Sequence, residues 1–166
     1  MKIKKTGLFV GRFQPFHIAH LSDIKNALKL VNELIIVIGS SQDSRTNENP
    51  LSAEERKAMI EDVLKTEKIK GCRIFSLNDI NNDDEWVSHV EKNMPAFDVV
   101  FSGNQRVINL FRKAGYDVME IKLIEGINGT LIREKIASGK RWKDLVPESV
   151  ARYIAQSDTK LFSQNI

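Results

Sequence analysis

Short apolar runs alternate with longer amphipathic segments along the whole chain. Each run is rich in β-branched or aromatic residues and is bounded by Gly, Ser, Asn or Asp, as buried strands usually are. Alternation of such runs with helical patterns is typical of βαβ units, and therefore of an α/β fold with a mainly parallel sheet. The pattern predicts five strands, at Leu8–Val10, Leu34–Ile38, Arg73–Leu77, Val99–Ser102 and Val118–Ile121.

The predicted helices lie between and after these strands. Apolar residues after the first strand recur at spacings of three and four, so one face of that helix should pack on the sheet. Its apolar positions are Ile18, Leu21, Ile24, Leu28 and Val31. Ser52 and Glu55 have the spacing of a capping box, which predicts a second helix from Ala53 to about Thr66. Further helices are predicted at about 84–93, 104–114, 131–138 and 148–156, the last within a C-terminal helical segment at about 147–157; from Asp158 onward there is little pattern.

Composition is that of an ordinary globular protein, and we expect one domain spanning residues 1–166. The chain is 42% hydrophobic and 28% charged, and its net charge of +3 is scattered without a basic tail, so nucleic acid is not an expected partner. The single cysteine, Cys72, excludes an internal disulfide framework and a cysteine-cluster metal site. The longest apolar run is too short to span a membrane, and the first residues lack the apolar core of a signal peptide. These features predict a soluble, cytoplasmic protein that does not bind membranes.

The loop after the first strand carries the clearest chemical signal. It reads GRFQPFHIAH over residues 11–20 and leads directly into the first helix. His17 and His20 lie on one face of the first helical turn, where free backbone amides and the helix dipole favour an anion. With Arg12 beside them they predict a phosphate site at the carboxyl edge of the sheet, where open α/β sheets bind ligands.

Two other interpretations of the histidines stay open. They could ligate a metal, although no local carboxylate or cysteine completes a set, or each could cap a backbone carbonyl. The loop itself is neither a Gly-x-Gly-x-x-Gly loop nor a P-loop, which argues against a dinucleotide-dependent dehydrogenase and a Walker-type NTPase.

A second anion site is predicted at residues 126–133, GINGTLIR. Thr130 is predicted to cap the following helix, and Gly129 to let the backbone approach a ligand. Arg133 would lie near the start of that helix, where a cation opposes the helix dipole unless an anion is shared between it and the free amides. The alternative is that Arg133 simply extends into solvent.

At these two segments the chain resembles the nucleotidylyltransferase superfamily, with its H-x-G-H and [ST]-[SG]-T-x-x-R signatures. It is most similar to the archaeal-type nicotinamide-mononucleotide adenylyltransferases. The similarity continues, in the family's order, through ELIIVIGSSQDSRTNENPLSAEERKAMI, NDINNDDEWVSHV, FDVVFSGNQRVINLFRKAGY, NGTLIRE and WKDLVPESV. Four positions depart from the family pattern: Ala19 replaces the glycine of H-x-G-H, Asn128 a serine, Gln105 a proline, and Asp83 an asparagine associated with the nicotinamide ring.

The resemblance implies a Rossmann-like open parallel five-stranded sheet, in the order 3-2-1-4-5 with helices on both faces. It also implies direct, in-line transfer from ATP to nicotinamide mononucleotide (NMN), giving NAD and pyrophosphate. Mg²⁺ would accompany ATP, with no protein metal site, and members of this type are commonly homo-oligomers, often hexamers. The implied catalytic residues are His17, His20, Arg12 and Arg133. Those implied to bind ATP are Gly11, Phe13, Gln14, Ser102, Gly103, Asn104, Gly129 and Thr130, and those implied to bind the mononucleotide are Ser40, Asn82, Asp83 and Trp86.

Two alternatives to this function stay open. One is an adenylyl- or cytidylyltransferase for another phosphate substrate, such as flavin mononucleotide or phosphopantetheine, and the departure at Asp83 keeps it open. The other is a non-catalytic nucleotide sensor, against which the presence of His17, His20 and Arg133 argues. The sequence does not separate NMN from nicotinic-acid mononucleotide.

Overall fold

A parallel sheet of five strands forms the centre of the fold in a computed structural model that describes residues 5–157 and 159–162. The strands are β1 Thr6–Gly11, β2 Glu33–Ile38, β3 Cys72–Ser76, β4 Val99–Ser102 and β5 Asp117–Glu120. They are ordered β3-β2-β1-β4-β5, and every neighbouring pair is parallel. The predicted strand positions, strand order and α/β class are therefore confirmed.

Within the described part of the chain, six α-helices surround the sheet: α1 Ile18–Ala27, α2 Ala53–Thr66, α3 Asp83–Asn93, α4 Gln105–Lys113, α5 Gly129–Ala137 and α6 Glu148–Gln156. The predicted capping box of α2 is present, because the Ser52 hydroxyl accepts from the Glu55 amide and the Glu55 carboxylate accepts from the Ser52 amide. Short 3-10 helices follow at Lys143–Leu145 and Thr159–Phe162. Phe162 is buried in the core, although the sequence predicts little structure there; position 158 and the end of that segment lie outside the described residues.

Alternate residues of the central strands enter two separate hydrophobic cores. In β2, Leu34, Ile36 and Ile38 join one core, Ile35 and Val37 join the other, and all five are 0% exposed. Helices α1, α2, α5 and α6 cover the first face, while α3 and α4 cover the second. Because helices bury both faces, β2 is a continuous apolar run rather than an alternating one.

The strand order reverses beside β1, which pairs with β2 on one side and with β4 on the other. In open parallel sheets, a crevice forms at such a reversal, outside the carboxyl ends of the strands. The loop that follows β1 and the loop that follows β4 both start at this edge. Among the described residues, none of the helices is both long and apolar enough to cross a membrane.

Candidate active site

His17 and His20 form a stacked pair at the start of α1. Their ring centroids are 3.5 Å apart and their planes differ by 15°. The Nδ1 of His17 accepts from the His20 amide at 3.4 Å, and the Nδ1 of His20 accepts from the His17 amide at 3.2 Å. Since each Nδ1 is an acceptor, each neutral ring carries its proton on Nε2. The pair therefore caps the helix with one nitrogen of each ring and keeps an Nε2–H donor on each.

Both histidines are neutral at pH 7. Burial lowers the pKa of His17 to about 4, and burial together with the charge of His17 lowers the pKa of His20 well below its usual range. The alternative that each histidine caps a carbonyl is wrong, because each Nδ1 accepts from a backbone amide. Capping of the amides and binding of a ligand are compatible, since they use different ring nitrogens. Two neutral N–H donors suit the oxygens of a phosphate group.

The loop after β1 is held in place by residues predicted to bind ATP. The Phe13 ring is 1% exposed and packs edge-on against His20, with centroids 4.7 Å apart. The Gln14 side chain is also buried; its Nε2 donates to the Leu51 carbonyl at 2.8 Å, and its Oε1 accepts from the Leu51 amide at 3.0 Å. Neither residue lines the two cavities described below. Their side chains support the histidines and fasten the loop to the segment before α2.

Helix α5 brings Arg133 to the same loop. Arg133 Nη1 donates to the Gln14 carbonyl at 2.8 Å, and Nη2 donates to the Thr130 hydroxyl at 3.3 Å. A Cβ on Gly129 would lie 2.9 Å from Arg133 Nη1 and 3.1 Å from the Gln14 carbonyl oxygen, so only glycine fits this approach without displacement. Burial, and next the nearby Arg12, lower the pKa of Arg133. Arg133 and Arg12 therefore act on one region, which suits an anion.

The prediction that Thr130 caps α5 is wrong. Asn128 is the N-cap, with its Oδ1 accepting from the Leu131 amide at 2.9 Å, and Thr130 lies inside the first helical turn. Asparagine is at least as good an N-cap as threonine, so the helix begins earlier than predicted. The predicted anion site keeps Gly129 and Arg133, while the Thr130 hydroxyl orients Arg133.

Two cavities meet at the carboxyl edge of the sheet. The first, of about 260 Å³, is lined by His17, His20, Ser102, Gly103, Asn104 and Asn128, among others. The second, of about 440 Å³, is lined by Gly11, Arg12, Ser40, Trp86, Asn104 and Arg106, among others. Val10 and Asn104 line both cavities, so two ligands bound in them would approach each other at the ends of β1 and β4.

The remaining predicted residues lie around the second cavity. Trp86 is only 5% exposed, and the guanidinium of Arg106 lies over its ring, with Cζ 5.5 Å from the centroid. Asp83 forms an ion pair with Arg106. Asn82 caps α3, because its Oδ1 accepts from the amides of Asp84 and Glu85. It does not line the cavity. Asp83 and Asn82 are therefore placed behind the cavity wall, whereas Ser40 and Trp86 form part of it.

Sequence reasoning missed Arg56, which is 0% exposed in α2. Its guanidinium donates to the carbonyl oxygens of Arg12 at 2.9 Å, Gly39 at 2.8 Å and Ser40 at 3.2 Å, and Nε donates to Ser52 at 3.1 Å. Burial lowers its pKa to about 10, so it stays charged at neutral pH. A detectable signal exists, because Arg56 occupies a position on the apolar stripe that continues through 59, 60, 63 and 64.

A second missed residue is Asp23, one turn after His20 on α1. It lines the first cavity, and burial raises its pKa to about 6. Within residues 5–157 and 159–162, no group of three or more His, Cys, Asp or Glu side chains is arranged to hold a metal ion.

Comparison with known proteins shows the family of the chain. Residues 8–135 match the model of the cytidylyltransferase-like family. A nicotinamide-nucleotide adenylyltransferase of Archaeoglobus fulgidus is 45% identical over 157 residues, which cover 90% of this chain and 90% of the relative. The chain belongs to the nicotinamide-nucleotide adenylyltransferases of the cytidylyltransferase-like family. Another relative with that name, from Pyrococcus furiosus, is 42% identical over 157 residues, covering 92% of this chain and 84% of the relative.

Solved structures of similar fold include a bifunctional enzyme and a second adenylyltransferase. A bifunctional NMN adenylyltransferase/ADP ribose pyrophosphatase of Francisella tularensis, complexed with AMP and a manganese ion, superposes with a TM-score of 0.77 at 25% identity. The match covers 97% of this chain and 52% of that one. A putative nicotinate-nucleotide adenylyltransferase of Vibrio parahaemolyticus, at 16% identity and a TM-score of 0.69, shares the fold.

Proposed function

We propose that this protein joins ATP to nicotinamide mononucleotide, giving NAD and pyrophosphate. The observation that carries the proposal is the stacked pair of His17 and His20, each with an Nε2–H donor, at the wall of one of two adjoining cavities. A transferase for two phosphate-bearing substrates needs two binding sites that converge on one phosphorus atom. The two adjoining cavities meet this need, together with the histidine pair where the loop after β1 joins α1.

ATP is assigned to the first cavity. The loop Ser102-Gly103-Asn104 forms part of its wall, and a Cβ on Gly103 would lie 2.6 Å from Leu123 and 3.1 Å from the Ile121 carbonyl. Gly103 therefore packs closely against the segment after β5, and the two together form a wall of the cavity assigned to the adenosine. Gly129 and Thr130 then act on the triphosphate through Arg133, and Gly11 leads the chain from β1 into the loop that carries the histidines.

The mononucleotide is assigned to the second cavity, with Ser40 near its phosphate and Trp86 beside the pyridine ring. Arg12 lines the same cavity and is assigned to the phosphates of ATP where the two substrates meet. Asn82 contributes by capping α3, the helix that carries Trp86. Because Arg106 covers the Trp86 ring, a pyridine ring would either displace Arg106 or bind against the guanidinium.

The chemistry requires positioning and charge stabilisation more than a base. An oxygen of the NMN 5′-phosphate attacks the α-phosphorus of ATP, forming a new P–O bond. The bond from the α-phosphorus to the oxygen bridging to the β-phosphorus breaks, and pyrophosphate leaves with that electron pair. His17 and His20 donate to phosphate oxygens at the reacting centre, while Arg12 and Arg133 stabilise the charge on the triphosphate and on the leaving group.

A divalent metal ion fits this site as a companion of ATP. The described residues offer no carboxylate, histidine or cysteine cluster to hold one, whereas a triphosphate supplies the oxygen ligands that Mg²⁺ prefers. When bound, Mg²⁺ supplies positive charge to the phosphate oxygens. His17, His20, Arg12 and Arg133 would donate to phosphate oxygens of the same complex.

Pyrophosphate release tests this proposal. The protein is incubated with ATP and Mg²⁺ and with NMN, nicotinic-acid mononucleotide, flavin mononucleotide or phosphopantetheine in separate reactions. We expect release with a pyridine mononucleotide and none with the other two substrates. Release with flavin mononucleotide or phosphopantetheine alone would refute the assignment, and ATP binding without any release would identify a nucleotide sensor instead.

The histidine pair is tested with His20→Ala, which removes one donor at the reacting centre. We expect kcat to fall about 100-fold, as for the loss of one preorganised donor in other enzymes. Ser22→Ala, an exposed position on the same helix, is the matched control and should keep wild-type turnover. Wild-type turnover by His20→Ala would show that the histidines do not serve the reaction.

We further propose that the whole chain, residues 1–166, works as one cytoplasmic nucleotidylyltransferase unit that assembles into a homo-oligomer, as a hexamer. This part of the proposal follows from the family resemblance alone. Size-exclusion chromatography with light scattering measures the oligomeric state.

A further inference from the structure

An ion pair between Asp83 and Arg106 lies at the wall of the second cavity. Asp83 Oδ1 accepts from Arg106 Nε at 2.7 Å and contacts Arg106 Nη2 at 2.5 Å. The same guanidinium lies over the Trp86 ring, and both Arg106 and Trp86 line the cavity. Asp83 therefore reaches the assigned pyridine site through Arg106.

Two helix starts fix the pair. Asp83 is the first residue of α3, where the helix dipole favours a carboxylate, and Arg106 is the second residue of α4, where the dipole disfavours a cation. Asn104 caps α4 by accepting from the Arg106 amide at 2.9 Å. Asp83 thus stabilises an arginine in a position that is otherwise unfavourable for its charge.

The guanidinium keeps one group for a ligand. Nε and Nη2 face Asp83, and in the described part of the chain Nη1 has no hydrogen-bond partner. Nη1 can therefore donate to an acceptor oxygen in the cavity. Nicotinamide and nicotinic acid both offer such an oxygen. They differ in charge and in the second atom of the group, which is an NH2 donor in the neutral carboxamide and a second acceptor oxygen in the carboxylate.

Asp83 determines the net charge that a ligand meets at the Arg106 guanidinium. With Asp83 in place, the pair is neutral as a whole, so a second carboxylate meets an arginine that is already paired and is repelled by Asp83. With an asparagine, the arginine would keep its full positive charge and would attract a carboxylate. A neutral carboxamide is much less sensitive to this difference.

We propose that Asp83, acting through Arg106, makes the pyridine site select the carboxamide over the carboxylate, and hence NMN over nicotinic-acid mononucleotide. This inference rests on the proposed function and names the substrate preference of the same site. Arg106 is the residue that contacts the substrate, and Asp83 is a specificity residue that sets its charge.

The test compares the specificity ratio, kcat/KM for nicotinic-acid mononucleotide divided by kcat/KM for NMN, in matched variants. Asp83→Asn keeps the side-chain shape and removes the negative charge, so the ratio should rise about fivefold. Arg106→Leu leaves Asp83 unpaired beside the cavity, so the ratio should fall by a similar factor. Both changes should appear in KM and should shrink at high salt, because both partners are about half exposed.

Asp83→Asn and Arg106→Leu are expected to shift the specificity ratio in opposite directions. This result distinguishes selection by charge from a merely structural role of the ion pair. If the pair only held α3 and α4 together, both variants would break it and would shift the ratio in the same direction or not at all. Either of those results would overturn the inference. Arg112→Leu is the control, because Arg112 forms a comparable exposed ion pair on the same helix, with Glu120 at 2.7 Å, and should leave the ratio unchanged.

The failure of this inference differs from the failure of the proposed function. A wild-type protein that uses a pyridine mononucleotide, with variants that do not move the ratio in opposite directions, overturns the inference alone. A wild-type protein that releases no pyrophosphate with either pyridine mononucleotide overturns the proposed function and the inference with it.

Discussion

Replacing Arg56 by methionine should destabilise the protein and weaken both of its assigned substrate sites. Methionine has a similar length but no donors, so the carbonyl groups that accept from the guanidinium lose a partner. Two of them keep another donor, since the Ser40 oxygen also accepts from the Asp43 amide and the Ser52 oxygen from the Arg56 amide. Among the described residues, the carbonyl oxygens of Arg12 and Gly39 have the guanidinium as their only donor.

The magnitude follows from these two carbonyl groups. An unsatisfied buried acceptor costs about 1–3 kcal/mol, and because both of these hydrogen bonds are part-buried, we expect about 2–4 kcal/mol for the two together. Methionine also removes the unfavourable burial of a charge, which offsets part of this loss. We therefore expect Arg56→Met to lower the free energy of unfolding by about 3 kcal/mol.

Urea unfolding measures this change, with Lys57→Met as the control. Lys57 is the neighbouring cation on the same helix, but it is about half exposed and has only a loose contact with Glu61, at 3.9 Å. Loss of such a surface pair costs about 0.5 kcal/mol or less. Because Arg56 holds the loops of Arg12 and Ser40, KM for both substrates should also rise in Arg56→Met. Equal stability of the two variants would refute the account of Arg56.

Two further predictions concern the phosphate site. Gly129→Ala should lower kcat/KM for ATP about tenfold, because the new Cβ would lie 2.9 Å from Arg133 Nη1 and 3.1 Å from the Gln14 carbonyl oxygen. Steady-state kinetics at varied ATP measures this change, and unchanged kinetics would contradict the prediction. The second prediction is that His17 makes folding less favourable in acid. Its pKa is 6.5 unfolded and about 4 folded, so stability is lost as the pH falls from 6.5 to 4, by at most about 3 kcal/mol. His20 adds a loss of the same sign, whereas Asp23, whose pKa burial raises, has the opposite effect. Urea unfolding should therefore show a greater loss between pH 6.5 and 4.5 for the wild type than for His17→Gln, and an equal loss would disprove the assignment.

The fold was largely predictable because its signals are local. Each strand is a short apolar run, and β2 is continuous because both of its faces are buried. The strand order came from the family resemblance rather than from the pattern. Helix ends were less certain, as α5 shows: Asn128 and Thr130 are both good N-caps, and the close approach of Gly129 to the Gln14 carbonyl helps to place the helix start.

The site was predictable in part. The spacing of His17 and His20 was enough to place them together, because both lie in one helical turn. The use of Nδ1 for capping and of Nε2 for ligand binding depends on backbone geometry, which the spacing of the two residues does not define. The role of Arg56 was not predictable, because three of its four acceptors are 16 to 44 positions away and meet only when the sheet and α2 are assembled.

The pairing of Asp83 with Arg106 was hidden for the same reason. The two residues are 23 positions apart and belong to different helices, and each on its own looks like an ordinary exposed charge. The sequence did mark Asp83 as a departure from the family pattern. Only the packing of α3 beside α4 shows which cation it meets.

The formation of NAD from ATP and NMN tests the central claim most directly. Purified protein is supplied with ATP, NMN and Mg²⁺, and NAD and pyrophosphate are measured in the same reaction over time. The proposed direct transfer predicts that the two products appear together in equal amounts, and that both form about 100-fold more slowly in His20→Ala. Pyrophosphate without NAD, or neither product from the wild-type protein, would contradict the account.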